Sequence, residues 1–167
     1  MSAPASLVHL VVPWSHLYSD SKLLPTVVVF AHIAALVFAG GLAVTLDRAT
    51  LRAFRGTPEF RSRQLGDIAA AHRLVLTGLA LSFISGVFLF TADLETFYGS
   101  WIFWTKMGLI VLLLANGYRI TRVELRIRET PKAADADAWK QLRTTAVISI
   151  ALWFTIAFAG VALAEAI

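Results

Sequence analysis

The sequence predicts an all-α integral membrane protein, folded as an up-down-up-down four-helix bundle with both termini outside. Its apolar residues fall in four blocks, each close to the ~20 residues that a helix needs to cross a bilayer. Hydrophobic residues make up 57% of the 167-residue chain, and the mean hydropathy is +0.70. A soluble protein of this size could not bury so much apolar surface. We therefore expect a single transmembrane domain.

The amino-terminal part predicts an external tail followed by a long first helix. Residues 1–23 form the tail, where Trp14 suits the membrane interface and Pro13 is expected to break or kink any helix. The first helix is expected to continue past the membrane to Gly56, where "GTP" signals a turn. The four predicted spans cover about residues 24–46, 74–92, 101–118 and 144–164.

The remaining elements follow from the polar segments between these spans. The second helix should start near Glu59, and "DLETFYGS" at 93–100 should form the turn to the third. The third helix is expected to continue through "RITRVELRIRE", and Pro131 lies in the second turn on the basic side. The fourth helix should start near Asp137 and run to the carboxyl terminus. Short connections imply antiparallel neighbours, as in an up-down bundle.

The distribution of charge predicts the orientation. Of the 15 Lys and Arg residues, six lie in segment 47–73 and seven in segment 119–143. Loops rich in Lys and Arg stay in the cytoplasm, so both termini and the 93–100 loop are predicted outside. The same clusters are expected to attract anionic lipid headgroups. No nucleic-acid partner is expected, because neither a binding fold nor aromatic interleaving accompanies the arginines.

His32 is the one ionisable residue in the apolar run "TVVVFAHIAALVFAGGLAVTL". A buried polar group in a membrane needs a partner. One interpretation is a neutral core histidine hydrogen-bonded to Ser82, Ser85 or Asn116. The other is a ligand to haem iron or another metal, or a group that handles protons. Thiolate sites and disulfides are excluded because the chain has no cysteine.

Counting residues from the turns, at 1.5 Å of rise each, predicts which groups share a depth. His32 should lie level with Ser82, with Asn116 and Trp153 in the same layer. Lys106 should lie nearer the outer surface, either reaching headgroups or binding an anionic group such as a haem propionate or quinone oxygen. His72 falls about 11 residues away from His32 in depth, so one haem cannot be held by both. No membrane-embedded carboxylate is expected, which disfavours proton-coupled transport.

Three stretches carry a resemblance to known membrane proteins: "AHIAALVFAGGLAVTLDR", "GVFLFTADLETFYGSWIFWTKMGLIVLLLANGYR" and "ISIALWFTIAFAGVAL". The pattern resembles families of small bacterial four-helix membrane proteins, which are distantly similar to CopD-type and cytochrome b561-like bundles. It spans most of residues 14–163. The matching positions are His32, Gly40 and Gly41, Asp47 with Arg48, and Phe103 with Lys106. Level pairs of histidines are lacking, so the resemblance does not imply a bis-histidine electron-transfer chain.

The resemblance implies a bacterial cytoplasmic membrane protein. The residues leave three hypotheses of function, of which a small transporter for a metal or a proton is the weakest because no membrane-embedded carboxylate is expected. In the first, His32 binds haem b or a metal, with Asn116, Lys106 and Trp153 as further cofactor-binding residues, in membrane redox chemistry or metal handling. In the second, the chain is a non-catalytic accessory subunit packed against a larger membrane complex. No catalytic constellation is evident in the sequence, so none of the hypotheses assigns an enzymatic residue.

Overall fold

A computed structural model describes residues 4–129 and 135–166. Within these ranges the chain forms helices and no strand, which confirms the all-α prediction. The expected turn around Pro131 lies largely outside the described residues. The helices are α1 (Ala5–Asp20), α2 (Leu23–Ala53), α3 (Pro58–Ala92), α4 (Leu94–Gly99), α5 (Trp101–Glu129) and α6 (Asp135–Glu165).

Four of these helices, α2, α3, α5 and α6, are long and apolar enough to cross a membrane. The chain thus has the helices of a multi-pass membrane protein. Each contains one predicted span, and α2 and α5 continue through the Arg-rich segments as expected. The predicted turn after α2 is also confirmed, because the Thr57 hydroxyl accepts from the Phe60 amide and Pro58 occupies the first turn of α3.

The amino-terminal tail forms helix α1, which continues through Pro13, so of the two predicted effects of this proline, a break or a kink, the break is absent. Proline removes one N–H from a helix, and side-chain contacts with α3 hold α1 in place. The Trp14 indole donates to the Phe88 carbonyl at 3.1 Å, and the Ser15 hydroxyl donates to the Ala92 carbonyl at 2.8 Å. Docking on α3 offsets the local cost of the proline.

The segment expected as a simple turn between the second and third spans contains the short helix α4. Asp93 caps it, because its carboxylate accepts from the Thr96 amide at 3.4 Å. Three phenylalanines pack beside it: the Phe90 and Phe103 rings are stacked with centroids 4.9 Å apart, and Phe97 lies 5.9 Å from Phe103. We call this the aromatic end of the packed helices and the opposite, Arg-rich end the basic end.

Small residues bring α2 and α3 together along their length. A Cβ added at Gly78 would lie 2.8 Å from the Ala39 Cβ, and one at Gly86 would lie 3.2 Å from His32 Cε1. Ser82, between the two glycines, is buried. The Gly78, Ser82 and Gly86 row therefore faces α2 and permits the close approach that packing in lipid requires.

The helix pairs α2 and α6, and α5 and α6, are also packed together. The cation of Arg143 lies over the Phe54 ring at the basic end, while Trp153 meets Gly40 further along. Later residues of α2 thus meet earlier residues of α6, so these two helices are antiparallel.

Between α3 and α5 the contacts lie at the two ends. At the aromatic end, Phe90 stacks on Phe103. At the basic end, the Arg128 guanidinium donates to the Leu65 carbonyl at 2.6 Å and pairs with Glu124. Between these contacts a cavity separates the two helices.

Candidate functional site

His32 contacts α3 as predicted. Its Nδ1 lies 2.9 Å from the Ser82 carbonyl oxygen and 3.1 Å from the Ser85 hydroxyl. The ring is half-buried, with its Cε1 edge against Gly86. The expected contacts with Ser82 and Ser85 are confirmed. A Cβ at Gly86 would lie 3.2 Å from His32 Cε1, so the imidazole would have to move by a few tenths of an ångström.

The hydrogen bonds determine which nitrogen of His32 carries the proton. A backbone carbonyl can only accept, so Nδ1–H donates to Ser82. The Ser85 hydroxyl has its own acceptors, the carbonyls of Leu81 at 2.8 Å and Ser82 at 3.0 Å. In the neutral imidazole, Nε2 therefore keeps its lone pair. A histidine anchored through one nitrogen to a carbonyl is the arrangement that metal-ligating histidines adopt.

Lys106 on α5 is the second charged group of this region. Lys106 lies one turn from Phe103, which stacks on Phe90, and His32 contacts Gly86, one turn from Phe90, so Lys106 and His32 lie at a similar depth. The Lys106 amine packs on α6, where Nζ lies 3.4 Å from the place that a Gly160 Cβ would occupy. Within the described residues the ion pairs are Glu124 with Arg128 and Asp137 with Lys140. In that part of the chain, Lys106 has no carboxylate within 4 Å.

Asn116 and Trp153 do not join His32 in one layer. The Asn116 amide donates to the Thr145 carbonyl at 2.9 Å. The Trp153 ring packs on Gly40, eight residues and roughly 12 Å of helix rise from His32. Turn counting placed both residues less well than Ser82, because their depth relative to α2 depends on two or three connections rather than one. Their assignment to a cofactor site with His32 remains a prediction.

The cavity lies nearer the basic end and has a volume of about 310 Å³. Helices α2, α3, α5 and α6 all contribute to its wall, which is mostly aliphatic. Trp153 closes one side. The polar residues in the wall are Asp47, Thr50, His72, Tyr118, Thr121 and Ser149. His32 and Lys106 are outside this wall, so the described residues form two separate polar regions.

Asp47 was missed as a functional candidate, since the sequence placed it at the end of a span. It is only 7% exposed, and its Oδ2 has no hydrogen-bond partner among the described residues. Asp47 directly follows the first predicted span, which ends near residue 46, so the expectation of no membrane-embedded carboxylate stays a prediction. The signal was available in the sequence: Asp47 continues, at intervals of four, the small-residue stripe Ala35, Ala39 and Ala43 on the packed face of α2.

The described residues do not form a binding site for a bare metal ion. No group of three or more His, Cys, Asp or Glu side chains that could hold a metal is present in the described ranges. His72, which the sequence places too far from His32 in depth to share a haem with it, lines the cavity wall. Metal binding by His32 alone would leave most coordination positions to other groups.

Comparisons with known protein families, with curated proteins and with solved structures found no match.

Proposed function

We propose that the protein is an integral protein of the bacterial cytoplasmic membrane that binds haem b through His32. Its topology would be an up-down-up-down bundle with both termini outside. The antiparallel contacts of α2 with α6 and the clustering of arginines at one end support this topology. The observation that carries the haem proposal is the anchored His32 imidazole, whose Nε2 retains a lone pair.

The number of available ligands favours haem over a bare ion. A bare ion in a protein usually needs three or four protein ligands, which the described residues do not bring together. Haem carries four of its own nitrogen ligands, so one histidine suffices for attachment, as in other proteins with a single proximal histidine. His32 fits that requirement.

The positive charge of Lys106 is complementary to the negative charge of haem. A haem carries anionic propionates, and Lys106 is a half-buried cation without a carboxylate partner in the described part of the chain. Its depth, which is similar to that of His32, would let it bind a propionate. Bound haem would supply one-electron chemistry, while the residues of this chain would hold and orient it.

Absorption spectroscopy of the purified protein tests the proposal. We expect a Soret band in the wild-type protein, from haem retained in mild detergent or added after purification, that shifts on reduction. His32→Gln should lose the band, because an amide is a poor ligand for iron. Lys106→Gln should weaken haem binding while leaving the band shape unchanged.

His72→Gln is the matched control, because His72 lies on α3 outside the contacts of His32. It should keep the Soret band. Wild-type protein that binds no haem, or equal haem binding by His32→Gln and wild type, would refute the proposal. Elemental analysis of the same samples would detect a bare metal ion instead.

The second hypothesis, an accessory subunit, is favoured by one observation. Helix α1 is not among the helices that could span a membrane, yet it exposes apolar side chains, with Leu10 77% exposed. A partner protein or the membrane surface would cover this face. The hypothesis predicts co-purification with a larger membrane assembly in mild detergent, and loss of that assembly with Leu10→Glu.

A further inference from the structure

We propose that the cavity between α3 and α5 binds a small amphiphile with a protonated amine, whose head pairs with the Asp47 carboxylate. This binding site is separate from His32 and does not depend on the haem proposal. The distance along α2 from His32 to Asp47 is fifteen residues, or roughly 22 Å of helix rise.

Two hydrogen-bond donors on the neighbouring helix turns, Thr50 and Gln64, already have other acceptors. The Thr50 hydroxyl donates to the Leu46 carbonyl at 3.0 Å. The Gln64 amide donates to that carbonyl and to Thr50, both at 3.0 Å. The Ser149 hydroxyl faces the Asp47 carboxyl, but one hydroxyl can serve one oxygen. Oδ2 is left without a donor, which is costly for a buried group.

The carboxylate also lacks a cation from the protein. Within residues 4–129 and 135–166, no Lys, Arg or His nitrogen lies within 4 Å of Asp47. A buried carboxylate is strongly disfavoured unless a charge compensates it. A ligand amine would supply both the missing donor and the missing positive charge. The Asp47 carboxylate would repel an anionic head group.

The shape of the cavity suits an apolar tail. Its volume of about 310 Å³ is at the small end of the roughly 300–1,000 Å³ typical of small-molecule sites. Three residues of its wall are well exposed on the outer surface of α3 and α5: Leu76 (46%), Leu114 (50%) and Tyr118 (59%). The cavity therefore opens sideways between these helices, where the lipid tails would lie. An amphiphile can reach Asp47 from the bilayer.

Calorimetric titration of the detergent-solubilised full chain tests the proposal with octylamine and octan-1-ol, which share a tail and differ in charge. We expect saturable binding of octylamine and at least tenfold weaker binding of octan-1-ol. Asp47→Asn keeps the shape of the side chain and removes its charge. It should weaken octylamine binding by about tenfold or more, and it should leave octan-1-ol binding unchanged.

A pair of glycines on α5 provides a second test that leaves Asp47 intact. Gly117 lines the cavity, and neither Gly117 nor Gly108 has an atom within 4 Å of an added Cβ. Gly117→Leu should fill the cavity and abolish octylamine binding, whereas Gly108→Leu, outside the wall, should not. This comparison decides the proposal even if Asp47→Asn does not fold.

Three results would overturn the proposal. The first is octylamine binding that is unchanged in Asp47→Asn, which would indicate partition into micelles or a cavity filled by water alone. The second is equal binding of the amine and the alcohol. The third is the same affinity in Gly117→Leu and Gly108→Leu. The Soret band of the haem test should be unaffected by Asp47→Asn, so the two proposals can fail independently.

Discussion

The Nδ1 of His32 on α2 donates to the Ser82 carbonyl on α3 over 2.9 Å. This bond joins α2 and α3 and determines the tautomer of the imidazole. Further bonds between these helices run from Gln64 to the Leu46 carbonyl and to the Thr50 hydroxyl. Because Ser82 presents its backbone to His32, no side-chain substitution at that position removes the acceptor. The bond can be tested only from the histidine.

His32→Leu should destabilise the protein by about 1 kcal/mol, since an interhelical hydrogen bond within a membrane contributes roughly 0.6–2 kcal/mol. Reversible unfolding in mixed micelles containing sodium dodecyl sulfate would measure the change. His72→Leu, which removes a histidine without this bond, should change stability less. Equal effects of the two substitutions would contradict the assigned role of His32.

Gly78→Ala should destabilise the packing of α2 on α3 by about 1–3 kcal/mol, the usual cost of overpacking. The new methyl would lie 2.8 Å from the Ala39 Cβ and 3.3 Å from the Ala35 carbonyl, and neither neighbour can rotate away. Gly66→Ala is the control on the same helix. Its Cβ meets nothing within 4 Å, so it should be neutral or stabilising by about 0.5–1 kcal/mol. The same unfolding assay distinguishes them.

Ser15→Ala should loosen the docking of α1, because the Ser15 hydroxyl donates to the Ala92 carbonyl on α3. We expect amide hydrogen exchange in α1 to become roughly two- to tenfold faster, as the loss of one hydrogen bond of about 0.5–1.5 kcal/mol implies. Ser19→Ala provides the comparison, since Ser19 bonds within α1 to the His16 carbonyl. Faster exchange in both variants would show that α1 is not held by Ser15.

Cysteine labelling tests the predicted orientation on a chain that has no native cysteine. Thr96→Cys at the aromatic end should react with a membrane-impermeant maleimide added outside cells. Ser62→Cys at the basic end should react only after the membrane is permeabilised. Both positions are exposed. The reverse pattern would place the termini in the cytoplasm and contradict the charge argument.

Local sequence patterns were sufficient to predict the helices and the contact of His32 with Ser82 and Ser85. The four apolar blocks predicted four spanning helices, and the turn at 54–57 follows from "GTP". The pairing of His32 with Ser82 and Ser85 was predictable too, because a short turn between two adjacent helices determines which residues are level. Errors entered where more than one connection intervenes. Asn116 and Trp153 are separated from His32 by further connections, each of which adds its own error to turn counting, and α1 continues through Pro13 while docked on α3.

The sequence alone determined the class of protein, since hydrophobicity and helical length are properties of each segment by itself. It also determined the identity of the polar groups that must find partners among apolar helices. Only the tertiary structure decided which of them do. His32 donates to a carbonyl of α3, whereas no donor reaches Asp47 Oδ2 within the described residues. Whether a polar group has a hydrogen-bond partner depends on which faces of the four helices meet. The cavity between α3 and α5 is likewise a property of the assembled helices, since α2 and α6 complete its wall.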